Sequence, residues 1–173
     1  LMELGREIAQ GADSTLRDAP VGIDFVFFDG EEYIFDERDE FFLGSSHFAR
    51  EYVRSKPPYR YRWGVLLDMV GDRDLQIFEE QHSVRWRDTR PLVGQIWGTA
   101  ARLGVRDFIP AMKYDIRDDH VPLHDIGKIP VCDIIDFDYP AWHTRADTVE
   151  QCSALSLAKV GWVLQEWLKT AVR

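Results

Sequence analysis

The chain has 173 residues, a formal net charge of −9 and a pI near 5.0, a balance that argues against a nucleic-acid partner because phosphate binding draws on clustered Lys and Arg. No run of about eighteen apolar residues occurs, so no membrane span is predicted. With 45% hydrophobic residues over this length, a single globular domain, residues 1–173, is expected.

In chain order, residues 1–9 place apolar side chains at 1, 4 and 8 and at 2 and 9, a helical spacing with no capping residue ahead of it. A helix begun that way, with Leu in first place, is expected inside a longer element, and the chain is read as lacking its natural N-terminal part; any signal peptide would lie there. Residues 11–20 form a polar connection. The run Ile23-Asp24-Phe25-Val26-Phe27-Phe28 predicts a buried strand that ends in Asp29-Gly30-Glu31-Glu32. Residues 33–42 mix acids with Tyr33, Phe35, Phe41 and Phe42, too charged for core and too aromatic for a linker, and predict one rim of a cleft. Gly44-Ser45-Ser46 then caps a helix over 47–54, with Phe48 and Tyr52 facing inward. Residues 54–62 are basic but hold two prolines and two tyrosines, which reads as a solvated connection.

Trp63-Gly64-Val65-Leu66-Leu67-Asp68-Met69-Val70-Gly71 repeats the first design, an apolar strand closed by an acid. Residues 75–78 read as a short strand. Residues 90–103 place apolar positions at 92, 93, 96, 97 and 100, an amphipathic helix ended by Gly104. Arg117-Asp118-Asp119-His120 gathers two acids and a His before an apolar turn, residues 129–136 read as a further buried strand, and residues 153–172 form a long amphipathic helix. Four strands alternating with helices make the fold class α/β, with a predominantly parallel central sheet and helices on both faces. The two cysteines, Cys132 and Cys152, are too few and too far apart to define a redox compartment.

Adjacent carboxylates at the end of an apolar strand repel each other and resist desolvation, so a positive partner is expected there, and a metal ion is the natural one. Neighbouring residues point different ways, which lets one carboxylate ligate while the other serves as a general base. In open α/β sheets the carboxyl ends of the strands line the ligand crevice, which predicts that the acidic pair and Asp68 are neighbours.

Asp29-Gly30-Glu31-Glu32, Leu67-Asp68-Met69-Val70-Gly71, Asp118-Asp119-His120-Val121-Pro122 and Trp142-His143-Thr144 with Asp147 together resemble, in order and spacing, the zinc aminopeptidase and glutaminyl cyclase superfamily, from residue 22 to the C-terminus. The resemblance implies a zinc cofactor, Glu31 as catalytic acid/base, Glu32 and His143 as zinc ligands, Asp68 and Asp118 in a hydrogen-bonded acidic cluster with Glu31, and Trp142 shaping the substrate pocket. A further Asp ligand of the family, and in aminopeptidases a His, would precede residue 1, so at most part of the metal shell is expected here. Two reactions on peptide or protein N-termini are implied: cyclisation of N-terminal Gln with loss of ammonia, or hydrolysis of the first peptide bond. Asp118 favours the first, since aminopeptidases of the family commonly carry Ser there and cyclases Asp. A metal-deficient member that merely binds is the third reading. With a partial shell, either Glu31 or Asp118 is expected to take up a proton, or the loops over 33–42 and 114–123 to relax. His120 is expected to satisfy a backbone carbonyl, and His47, His82 and His124 carry no motif.

Overall fold

The structure is a computed structural model that describes residues 1–11, 13–36 and 40–173. Helix α1 (Met2–Ala9) and the short α2 (Ser14–Arg17) open it, followed by α3 (Leu43–Ser55), β1 (Gly64–Asp68), β2 (Ile77–Glu79), α4 (Gln81–Arg85), α5 (Arg90–Leu103), β3 (Phe108–Met112), α6 (His120–Asp125), β4 (Val131–Ile135) and α7 (Ala154–Ala171). Helix α2 arises within the expected connection because Asp13 caps it, accepting from the Thr15 amide at 2.8 Å.

Both strand pairs are parallel, β1 with β4 and β2 with β3. In the first pair Val65 stands beside Cys132 and Leu67 beside Ile134, and these four belong to the larger core with α5 and α7. Side chains alternate along a strand, so Leu66, Asp68, Val131 and Asp133 belong to the other face. There Val131 packs with Ala49 of α3 and Leu123 of α6. Helices therefore cover both faces, as an α/β fold with parallel strands requires. Gly64 lets the pair close: a Cβ there would meet the Val131 side chain at 3.0 Å.

Residues 23–29 are not a strand. Among the described residues the segment joins no ladder, and Phe27 is 67% exposed. It faces β1 across a cavity of about 980 Å³ whose walls also include Tyr61, Trp63 and Leu164. An apolar run becomes a strand only when a neighbouring edge completes its hydrogen bonds, and none does so here. The fourth strand is instead β3, a Pro-containing segment at whose partner the register shifts between Phe78 and Glu79.

Helix α3 starts before the expected Gly44-Ser45-Ser46 cap, with Phe42 in a left-handed conformation at its N-cap. Its first amides, together with that of Phe42, are not capped by a side chain. They tie down the acidic turn, Phe42 N–H donating to Glu31 O (2.9 Å), Leu43 to Gly30 O (3.2 Å) and Gly44 to Asp29 O (3.1 Å). Only a glycine fits at 44, where a Cβ would lie 2.6 Å from Asp29 O. Gly44→Ala is expected to destabilise the chain by about 1–3 kcal/mol through overpacking. Gly98→Ala, in the exposed interior of α5 where a Cβ would meet nothing within 4 Å, should stabilise it by about 0.5–1 kcal/mol. Urea unfolding of the two variants checks both signs.

Candidate active site

The carboxyl end of β1, the acidic turn ahead of α3, the segment before α6 and the turn after β4 converge on one end of the chain's chemistry. Glu31, Glu32, Asp68, Asp118, Asp119 and Trp142 all line the large cavity. His143 meets Glu32 directly, with Nε2 2.6 Å from Glu32 Oε1. The backbone is bent to allow this. Met69, after Asp68, and His143 both take positive φ, 47° and 56°, values that a non-glycine residue holds only when its surroundings enforce them. The His143 ring stacks on Trp142, which packs in turn on Phe137. Around it Thr144 Oγ donates to Ala141 O (2.7 Å) and Tyr139 hydroxyl to Asp147 (2.7 Å), so the turn is braced from within.

Deep in the site the acids are crowded. Burial, with Glu32, Asp119 and Asp68 adding repulsion against the pull of His143, pushes Glu31 up to about 7. Burial likewise raises Asp118 to about 7, with Asp68, Asp119 and Glu31 reinforcing it against one backbone hydrogen bond. Asp68 and Asp119 are raised by burial as well. A carboxyl raised in this way holds its proton to higher pH, which lessens the repulsion. Asp118 Oδ1 accepts from the Asp119 amide at 2.5 Å, whereas its Oδ2 is buried and, among the described residues, has no hydrogen-bond partner. Asp119 is held by the Ser45 hydroxyl of α3, also at 2.5 Å.

Three acidic residues escaped the sequence reading of the site. Asp119 stood in the motif without a role. Asp133, the lone acid in an apolar strand, is fully buried on the same sheet face as Asp68, and burial followed by Asp118 and Glu80 raises its pKa well above the ordinary range. Glu80, just past β2, is buried as well. A carboxylate inside an apolar run was the signal for Asp133; for Glu80 no local pattern exists. Among the described residues His120 meets no backbone carbonyl. It is fully buried, 3.3 Å from Glu80 and 3.7 Å from Asp133. In the rim loop, Glu37 and Asp39 lie outside the described residues, while Tyr33 and Phe35 pack edge to face.

Imidazole nitrogen and carboxylate oxygen are the donors zinc takes, and Glu32 and His143 are close enough to share one ion. Among the described residues no group of three or more His, Cys, Asp or Glu is placed to hold a metal. The pair thus fits two positions of a zinc shell and does not make a complete one. Nor, among the described residues, is any helix long and apolar enough to cross a membrane.

Solved structures resemble the chain closely. It is 37% identical to the glutaminyl cyclase of Fimbriiglobus ruber, with a TM-score of 0.83, covering 96% of this chain and 58% of that one. To Porphyromonas gingivalis glutaminyl cyclase it is 32% identical, with a TM-score of 0.81 over 98% of this chain and 60% of that one. A Zn-dependent exopeptidase from Parabacteroides distasonis is also 32% identical, with a TM-score of 0.80 over 95% and 57%. The chain thus spans about three-fifths of the length of these relatives. No curated protein matches it. The model of peptidase family M28 matches residues 1–168, and to that family, with its zinc exopeptidase and glutaminyl cyclase fold, the chain belongs.

Proposed function

We propose that the chain carries the acid/base half of a glutaminyl-peptide cyclotransferase site, which converts an N-terminal Gln to pyroglutamate with loss of ammonia. The observation that carries the reading is the placement of Glu31 and Asp118 on one cavity beside Glu32, Asp68 and Trp142, where burial raises both carboxyls to about 7. A carboxyl that titrates near working pH can both take and give a proton. Cyclisation needs one group to do both. The α-amine nitrogen bonds to the side-chain amide carbon, the carbon–nitrogen bond to the leaving amide breaks, and the proton lost by the amine leaves on ammonia. Glu31 is the shuttle in this scheme and Asp118 the acid that shares its proton. No water is consumed. Trp142, 44% exposed beside the acids, is the wall against which the Gln side chain would lie. Glu32 and His143 are the residues that would hold zinc, which when bound supplies Lewis-acid polarisation of the amide carbonyl. The likeness to two glutaminyl cyclases supports this choice, and the likeness to a zinc exopeptidase keeps hydrolysis as the competing reaction.

In a longer chain that supplies the upstream zinc ligands the resemblance implies, Glu31→Gln is expected to lower turnover by about 10²–10⁴-fold, the usual weight of a positioned acid/base, without changing zinc uptake. The assay is ammonia release from a Gln-initiated peptide. Release of the first residue in place of ammonia would instead assign the site to an aminopeptidase.

With only two donors in place, the 173-residue chain should lose zinc on dialysis against a mild chelator, and metal analysis finding one zinc retained per chain would reject the two-donor shell.

The acidic cluster also sets a pH dependence in chelator. Asp118 rises in the fold from its usual 3.8 to about 7, so the unfolded chain ionises first as pH increases and the folded form binds the extra proton. Its stabilisation is therefore complete below about pH 4 and lost between about pH 4 and 7. Stability to urea should fall by on the order of 1–3 kcal/mol from pH 5 to pH 8, and Asp118→Asn should flatten that fall.

A further inference from the structure

Asp118 lies on the short stretch between Lys113 and α6, and nothing in that stretch's own sequence makes it rigid. Other elements hold it: the Ser45 hydroxyl takes Asp119, and a buried carboxylate after β2 takes the backbone ahead of Asp118. Glu80 follows β2, is 1% exposed and accepts four hydrogen bonds. Its Oε1 accepts from the amides of His82 (2.8 Å) and Ile116 (3.2 Å), and its Oε2 from the amide and hydroxyl of Ser83 (2.8 and 2.9 Å). The Nε2 of His120 stands 3.3 Å from the same Oε2. Three of these bonds, from His82 and Ser83, belong to α4. The fourth, from Ile116, and the contact with His120 sit two residues before and two residues after Asp118.

We propose that Glu80 is a positioning residue for Asp118, its carboxylate clasping the 116–120 turn on both sides and thereby fixing the Asp118 carboxyl against the cavity. An N-cap needs only the first amides of its helix. The contacts to Ile116 and His120 exceed that need, and each spans more than thirty positions of sequence. The groups that face the clasp from the packed elements are Ser83 of α4, which also accepts from the Asp133 amide at 3.1 Å, and Asp133 of β4, 3.7 Å from the other face of His120. The carboxylate is well suited to this load: burial would raise it, but His120 and the amides of Ser83 and His82 hold it down at about 2, so it stays charged throughout the working range. The consequence for catalysis rests on the role proposed above for Asp118; the clasp itself does not.

The shorter Glu80→Asp side chain separates the two duties. Asp is among the best N-caps, so it should keep α4, yet it is one methylene too short to reach Ile116 as well. Amide hydrogen exchange of the 173-residue chain should then quicken about tenfold or more at residues 116–121 while α4, α5 and β1 keep wild-type rates. Glu80→Gln, which retains the length and loses the charge, should lie between. In zinc-loaded protein, Glu80→Asp should lower kcat for cyclisation about tenfold with KM changed less than twofold, and Glu80→Gln should restore part of it. Unchanged exchange at 116–121 in Glu80→Asp, or an equal rise in α5 and β1, would overturn the clasp. If wild-type protein that holds zinc, in a longer chain supplying the upstream ligands the family resemblance implies, shows no cyclisation, the function proposed for Asp118 fails, and the exchange pattern still decides whether the clasp exists.

Discussion

Glu31, Asp68, Asp118, Asp119 and Asp133 lie within mutual electrostatic range while most of them have lost contact with water, and the repulsion that results is the constraint every neighbouring element answers. Protons answer it at Glu31 and Asp118. His143 answers it at the mouth, against Glu32. Backbone answers it at the turn before α3, where three successive amides take the carbonyls of residues 29–31 and so fix the main chain from which the acidic side chains project. A cluster assembled this way stores the cost of its own crowding, and a cation arriving between Glu32 and His143 would release part of it.

Much of this was legible in the chain. Acid-terminated apolar runs singled out Asp68 and the pair Glu31 and Glu32, and periodicity identified α5 and α7, because each has a full apolar stripe, with Gly104 as the stop signal of α5. What escaped was tertiary. Residues 23–28 have strand composition, yet the hydrogen bonds that define a strand come from a neighbour and no composition reveals whether one is there. Conversely β3 carries Pro110, which argues against a strand locally and is tolerated where the pairing is irregular. Helix α4, with the sequence Gln-His-Ser-Val-Arg, has no stripe; it exists because Glu80 caps it.

The site shows the same division. Types of residue and their order were readable, since chemistry restricts which side chains can hold a metal or move a proton. Their support was not: Ser45 reaches Asp119 across 74 positions and Glu80 reaches Ile116 across 36. Such partners are selected by shape after folding, and the only trace they leave in the sequence is a polar residue where an apolar one would have served.

One feature of the fold bears on how the molecule behaves in company. Among the described residues β1 pairs on one side only, and its other edge looks across an apolar-walled slot at a segment that also lacks ladder partners. Two open rows of backbone donors and acceptors are a template for any extended peptide, another copy included. No edge proline or inward lysine guards β1 itself, whose sequence is Gly-Val-Leu-Leu-Asp. The protection is long-range: a net charge of −9 keeps copies apart, and because salt screens exposed charge over about 10 Å at 0.1 M, colloidal stability at high protein concentration is tied to ionic strength rather than to the strength of the core.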